Sequence, residues 1–497
     1  MEAALPITQM PETVIAATKH DLITPERALT IAGSMDDMAK RGVLYARVLA
    51  LDILDDEQAV FAREQALAAM LELTEQHKQK RAGIIEVLAS YLQESDFVEV
   101  ISLILEINHH TFRDKALSVF APRLDDGWRR QLFRAAMSYS DNQSKWRYPR
   151  EERIVSVAPY VPVSEQIWIF EHMLQIDPAH HKNLRVKIFF ALAPYADATL
   201  RQHIYENRHA ATTLSYEQRL TPLKVLSGLL QRAEDSEKDR YVTDLIDGIL
   251  NQDGIDLEYS ANYVQKLAHE FAPHLMKMQL DAIVHMLLKL SASRSRCFAL
   301  AQLLPYVDVG LRRLVIEEGL SMIPQLKGYY DMDANDEVRA SALTYFAPYV
   351  TDNTRVRYLR ITRSLGSRER SHPLRELAIH TDDETEKNTL LDEAWDAAVN
   401  LPFAAETSHK MNDQTEIMRL IPHLNAELYD RTIDYALHSP TLAGYSIEWL
   451  QNAPDSVKQA RHQTTIKIRI ALLEALAPYL NAEQLQIVLA QTDIQDM

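Results

Sequence analysis

"TYFAPYV", residues 344–350, places a proline inside an apolar run that otherwise has helical period. An interior proline removes a backbone donor and crowds the preceding turn, at a cost of about 3 kcal/mol. Yet nearly the same phrase occurs eight times. The copies are "FAPRL" (120–124), "VAPYV" (157–161), "LAPYA" (192–196), "FAPHL" (271–275), "LLPYV" (303–307), "FAPYV" (346–350), "LIPHL" (420–424) and "LAPYL" (476–480). Successive prolines stand 37, 35, 79, 32, 43, 74 and 56 residues apart. The two long gaps are near twice the unit and hold degenerate copies, "LSGLL" (226–230) and "LAIHT" (377–381); "LASYL" (88–92) is an earlier one. A period of about 35–40 residues marks an array of helix pairs.

The flanks assign the proline its place. Upstream lies a basic residue and an apolar ladder at helical spacing, as in "RDKALSVFAP" from Arg113, "VRASALTYFAP" with Arg339 and "IRIALLEALAP" with Arg469. Downstream come helix-capping residues ahead of a new amphipathic stretch: Asp125, Ser164, Asp197, and Asn481 with Gln484 as a capping box. The proline is therefore expected to stop the first helix of a pair, by biasing the residue before it away from helical angles. The Tyr or His and the Leu or Val that follow are expected to turn the corner and pack between the paired helices.

The unit R-x-x-A-L-x-x-h-A-P-x-L, over about residues 80–480, resembles the degenerate HEAT-like repeats of bacterial proteins. Such repeats form sensor arrays of large signalling NTPases and also stand-alone scaffolds. The resemblance implies an all-α fold, an α-solenoid of stacked antiparallel helix pairs with about 35–40 residues per repeat. It transfers no catalytic residue, and the chain has no nucleotide-binding half. The expected division is an N-terminal helical cap over 1–75, a regular array over 76–365, and less regular repeats with a C-terminal cap over 366–497. Segments 233–240, 381–388, 401–416 and 438–446 read as polar loops.

Composition agrees with helices. Glycine numbers 12 in 497 residues, too few for a fold built on hairpins, phosphate loops or Rossmann crossovers. The net charge of −17 disfavours a broad nucleic-acid groove. The single cysteine, Cys297, excludes an internal disulfide framework and a cysteine-only zinc site. The N-terminus lacks a basic region followed by an apolar core, and no run of about 18 apolar residues exists, so the expectation is a cytoplasmic protein without a membrane span.

A catalytic constellation, cofactor motif or metal site is not expected. "HEFAPH" (269–274) puts its second histidine at i+5 beyond Pro273, off the face that H-E-x-x-H needs. "DMDANDE" (331–337) starts like a calcium loop but has Asp336 in place of the glycine and Ala342 in place of the bidentate Glu. The pairs His109–His110 and His180–His181 diverge on a helix and lack a third ligand. Cys297 sits on an apolar helical stripe and reads as a buried small hydrophobe.

Two arginine-rich stretches are the candidate partner-binding surface. Residues 355–375 carry seven arginines against one acid, Glu369, and residues 128–153 interleave seven basic residues with five aromatics. The candidates are Arg355, Arg357, Arg360, Arg363, Arg368 and Arg370, with Arg129, Arg130, Trp146, Arg147 and Arg150. Arginine forks onto carboxylate or phosphate and stacks on rings, which suits recognition. The competing structural reading is that these arginines pair with acids of neighbouring repeats. The expected function is a non-enzymatic protein–protein interaction scaffold or adaptor, in a bacterial signalling or defence system as a regulatory component. The alternative is a nucleic-acid-binding helical-repeat protein, similar in architecture to DNA glycosylases, using the arginine-rich faces.

Overall fold

The computed structural model of the chain describes residues 4–493 apart from 74–76, 78–79, 139–148, 176–181, 212–216, 251–256, 328–332, 400–414 and 440–454. The described residues form 26 α-helices and no strand, with a single bridge between Leu5 and Thr492. The fold is the all-α class expected, stacked helix pairs of HEAT-like type.

Each proline phrase closes the first helix of a pair, but not by leaving helical angles. Ala121, directly before Pro122, remains right-handed at φ −63°, ψ −31°. The chain turns extended only at Leu124, φ −82°, ψ 132°. The α-helix tightens into one 3-10 turn, Ala121–Arg123, and the same turn recurs at Ala158–Tyr160, Ala272–His274, Ala347–Tyr349, Ile421–His423 and Ala477–Tyr479. An α-helix would need the missing proline N–H and would crowd the ring; an i to i+3 turn placed there does neither. Ile323–Gln325 is a further copy, with Pro324 and no tyrosine.

Packing explains the letters of the phrase. The two residues before each of these prolines are no more than 1% exposed, as at Phe120 and Ala121 or Phe346 and Ala347. The fourth letter behaves otherwise: Tyr195 and Tyr479 are exposed, and Tyr160, Tyr306 and Tyr349 half-buried. Only the last letter packs inward as expected, at Leu124, Val161, Val307 and Leu480. In "LSGLL", Gly228 takes the proline's position, where a Cβ would stand 3.0 Å from the Ala193 Cβ of the preceding corner. The small residue there permits close approach of two repeats.

Expected caps form at Asp125, Asp197 and Asn481, whose side chains accept from the amides of Trp128, Leu200 and Gln484. Ser164 does not cap. Its helix starts at Val163, and the Pro162 carbonyl takes the first amide bonds. Two expected loops are also helix. Residues 233–240 run into Asp235–Leu250, and 381–388 into Glu384–Val399, where the Asp383 carboxylate accepts from the Glu386 amide at 2.8 Å. Acids at a helix N-terminus complement its dipole and look like a polar loop in sequence. Of 401–416, only Thr415 and Glu416 lie within the described residues, opening Thr415–Leu420.

The chain divides into two compact units, Leu92–Asp331 and Met1–Tyr91 with Met332–Met497. In the first, first helices lie side by side: His110–Phe120, Pro149–Val157, Lys182–Leu192, Glu217–Leu230, Leu257–Phe271 and Arg294–Leu303. Second helices form the other layer, with Phe97–Leu105 on Asp126–Ser138 and Asp235–Leu250 on Lys277–Leu288.

In the second unit, Asp333–Phe346, Ser367–Ile379, Thr415–Leu420 and Asp455–Leu476 stack in turn. Pro11–Lys19 then packs on Asp455–Leu476, and Met38–Leu49 packs on Pro11–Lys19. The first α-helix of the chain thus takes the position that a following repeat would occupy. The Glu474 carboxylate accepts the amides of Glu12 (2.8 Å) and Thr13 (2.9 Å) and the Thr13 hydroxyl (2.9 Å). Leu5 and Asp493 add backbone bonds, Leu5 N to Gln491 O at 2.9 Å and Asp493 N to Leu5 O at 3.0 Å.

Candidate interaction surface

The structure sorts the arginines by what they touch. One group is internal. Arg113, fully buried, donates from Nη1 to the Ile107 carbonyl (2.9 Å), from Nη2 to the Glu152 carbonyl (3.3 Å) and from Nε to the Ser156 hydroxyl (3.0 Å). Arg296 donates to the Leu290 carbonyl (2.6 Å) and pairs with Glu318 (2.6 Å). Arg81 donates to the Met70 carbonyl at 3.0 Å, and Arg153 to Leu105 at 2.5 Å. The carbonyls of Ile107, Leu290, Met70 and Leu105 lie in the last turn of a preceding helix or just beyond it, where the helix itself supplies no donor, while that of Glu152 belongs to the following helix Pro149–Val157. The repeat arginine is thus a mortar between a helix end and the next pair.

Helix Asp352–Arg363 carries four of the candidates. Its start is specified locally: Thr351 and Thr354 form a capping box, and Asp352 sits in the first turn. Arg360 and Arg363 occupy the last turn, where cations favour the dipole. The inner face buries Thr354, Tyr358, Ile361 and Thr362. Tyr358 anchors it, donating its hydroxyl to the carbonyls of Leu343 (3.2 Å) and Pro373 (3.0 Å). Burial pushes the Tyr358 phenol well above its usual pKa, so it stays a donor.

On the other faces, Arg355 pairs with Glu386. Arg363 forks onto Glu393, Nε to Oε2 at 3.0 Å and Nη2 to Oε1 at 2.7 Å. Both acids belong to Glu384–Val399 in the next pair, so these two arginines follow the structural reading. Exposed pairs of this kind contribute up to about 1 kcal/mol. Arg357 and Arg360 differ. They are exposed, and their side chains make no ion pair or hydrogen bond among the described residues. Beside them Val356 is 68% exposed. Val356, Leu359, Arg360, Arg363 and Ser364 line an open cavity of about 540 Å³.

The remaining candidates lie on other helices or outside the described residues. Arg370 is half-buried on Ser367–Ile379; Arg368 shares that helix, but its side chain lies outside the described residues. In the other stretch, Arg129 is half-buried, 3.8 Å from Asp126, and Arg130 pairs with Glu165 at 3.5 Å. Trp146 and Arg147 fall outside the described residues, as does the side chain of Arg150 on Pro149–Val157. Trp128 donates to Glu94 at 2.8 Å and packs edge-on to Phe97. Sequence reasoning missed Val356 and Leu359, the apolar part of the surface. It also missed Glu386 and Glu393, although each stands about one repeat after its arginine, 31 and 30 residues on.

No group of three or more His, Cys, Asp or Glu that could hold a metal occurs among the described residues. His269 is exposed near Glu270, and Asp336 accepts the Gly366 amide at 3.1 Å. His109 and His110 stack on each other, while His180 and His181 lie outside the described residues. Cys297 is buried, and burial pushes its thiol up to about 12, far from a nucleophile's range. No helix among the described residues is long and apolar enough to cross a membrane.

No protein-family model and no curated protein matches the chain. Among solved structures, importin beta overlaps at a TM-score of 0.40 and 11% identity, over 96% of this chain and 66% of that one. Kap121p overlaps at 0.34 and 14% identity, over 98% and 52%. Human Puf-A overlaps at 0.22 and 11% identity, over 92% and 99%. The chain spans about half to two thirds of the length of the first two proteins. Likenesses this distant bear on no detail of the site or its function.

Proposed function

We propose that the protein is a non-enzymatic scaffold or adaptor that binds another protein through the outer faces of its helix pairs. One observation carries this reading. On a chain where arginine after arginine is taken up by helix ends and neighbouring acids, Arg357 and Arg360 stand exposed beside Val356 without a partner among the described residues. An exposed apolar residue within a cationic face is the composition of a recognition surface more than of solvated helix. A place in the cytoplasm of a bacterial cell, as a regulatory part of a signalling or defence system, belongs to the same proposal. It rests on the single cysteine and on the resemblance of the repeat.

The test is affinity purification of the tagged full chain from cells that make it, at about 100 mM salt, with quantitative mass spectrometry. The expected result is one protein enriched in near-stoichiometric amount. A chain that retains nothing above a tag-only control, or retains only nucleic acid, overturns the proposal.

A further inference from the structure

We propose, resting on the scaffold reading, that the outer face of helix Asp352–Arg363 binds an acidic, extended segment of the partner protein with one apolar side chain among its carboxylates. Arg357 and Arg360 are three residues apart, so they are about 4.5 Å apart along the helix axis. Alternate side chains of an extended chain recur at about 6.6 Å, within the reach of two long arginines. Each planar guanidinium donates to a carboxylate in fork geometry. Beside Arg360, Val356 and Leu359 supply the apolar wall of the 540 Å³ cavity, which has room for an aliphatic or aromatic side chain.

Charge complementarity selects this occupant. The chain carries −17 overall, so an acidic segment is repelled by most of its surface. Within residues 352–363 there are four arginines and a single acid, Asp352. Glu386 and Glu393 neutralise Arg355 and Arg363 at the two ends of this helix. What remains is a short cationic site of two charges flanked on one side by an apolar wall. A nucleic acid needs a longer track of free cations, whereas a peptide with a few carboxylates fits the length.

The probe is a fluorescein-labelled peptide with alternating glutamates around one leucine, titrated with the full chain and followed by anisotropy. Saturable binding is expected, weakened about 10- to 100-fold by the double substitution Arg357→Glu with Arg360→Glu and about 5-fold by Val356→Ser. Arg130→Glu, a charge reversal elsewhere, is expected to alter it less than about 3-fold. All four positions are at the surface, and unchanged far-UV circular dichroism confirms that the variants fold. Equal binding by the double variant, equal binding of a leucine-free peptide, or displacement by an equally charged single-stranded oligonucleotide at lower concentration overturns the assignment. If a partner co-purifies equally with native chain and double variant, this site falls and the scaffold reading stands. If the peptide binds as expected but no protein co-purifies, the scaffold reading falls instead.

Discussion

Arg113 and Arg357 are the same residue type in opposite employment. Arg113 is fully buried and satisfies two carbonyls and a hydroxyl. Removing it leaves those acceptors bare, at about 1–3 kcal/mol for each one left unsatisfied. Arg113→Met is therefore expected to lower unfolding free energy by about 3 kcal/mol in urea titration, and Arg357→Met by less than about 0.5 kcal/mol. Similar losses for the two would dissolve the division between internal and outward arginines. The sequence showed that both stretches are rich in arginine, and the R-x-x-A-L unit marked Arg113 as part of the repeat. It could not show which arginines meet an acid. That depends on residues about one repeat away, such as Glu386 and Glu393, whose rotation about their helix axis is set by packing.

At the scale of the element, the proline phrase is a helix stop built from a tightened turn. Pro348 itself is exposed, while Phe346 and Ala347 are at most 1% exposed. Pro348→Ala is thus expected to cost under about 1 kcal/mol, because it acts mainly by freeing the unfolded chain. Phe346→Ala, which empties the core, is expected to cost about 3–5 kcal/mol. Thermal unfolding of the two variants separates punctuation from packing: a larger loss for Pro348→Ala would contradict the turn geometry. Periodicity and phrase spacing made these helices legible. The misread segments, 233–240 and 381–388, failed for one reason. A helix start on the outer face has no apolar residue to declare its period, and its acids imitate a loop.

At the scale of the whole chain, the first helix docks on the last long one, more than 460 residues away in sequence. Burial raises the Glu474 carboxyl from 4.5 to about 7, against the pull of the Glu12 and Thr13 donors, and the neighbouring Glu12 charge adds to the rise. Glu12 is itself raised by burial, with Arg47 opposing at 2.6 Å. Between pH 4.5 and about 7 the folded chain holds a proton at Glu474 that the unfolded chain has lost. Stability from this group is therefore present below pH 4.5 and falls as pH rises through about 7. The melting temperature of the native chain should drop relative to Glu474→Gln between pH 5 and pH 8. A constant difference, or one of opposite sign, would show that the carboxyl is not held up.

From the residues alone one can conclude that the chain builds helix pairs at a 35–40-residue period, that prolines end their first helices, and that a basic residue usually precedes the proline phrase. These follow from local rules of backbone donors, side-chain period and capping, which act within a few residues. The tertiary structure alone decided that Pro11–Lys19 stacks on Asp455–Leu476, and that Arg355 and Arg363 are engaged while Arg357 and Arg360 remain open. Those outcomes depend on which apolar stripes meet, across about one repeat for the arginines and across most of the chain for the first helix. No short stretch of sequence contains the geometry that brings them together.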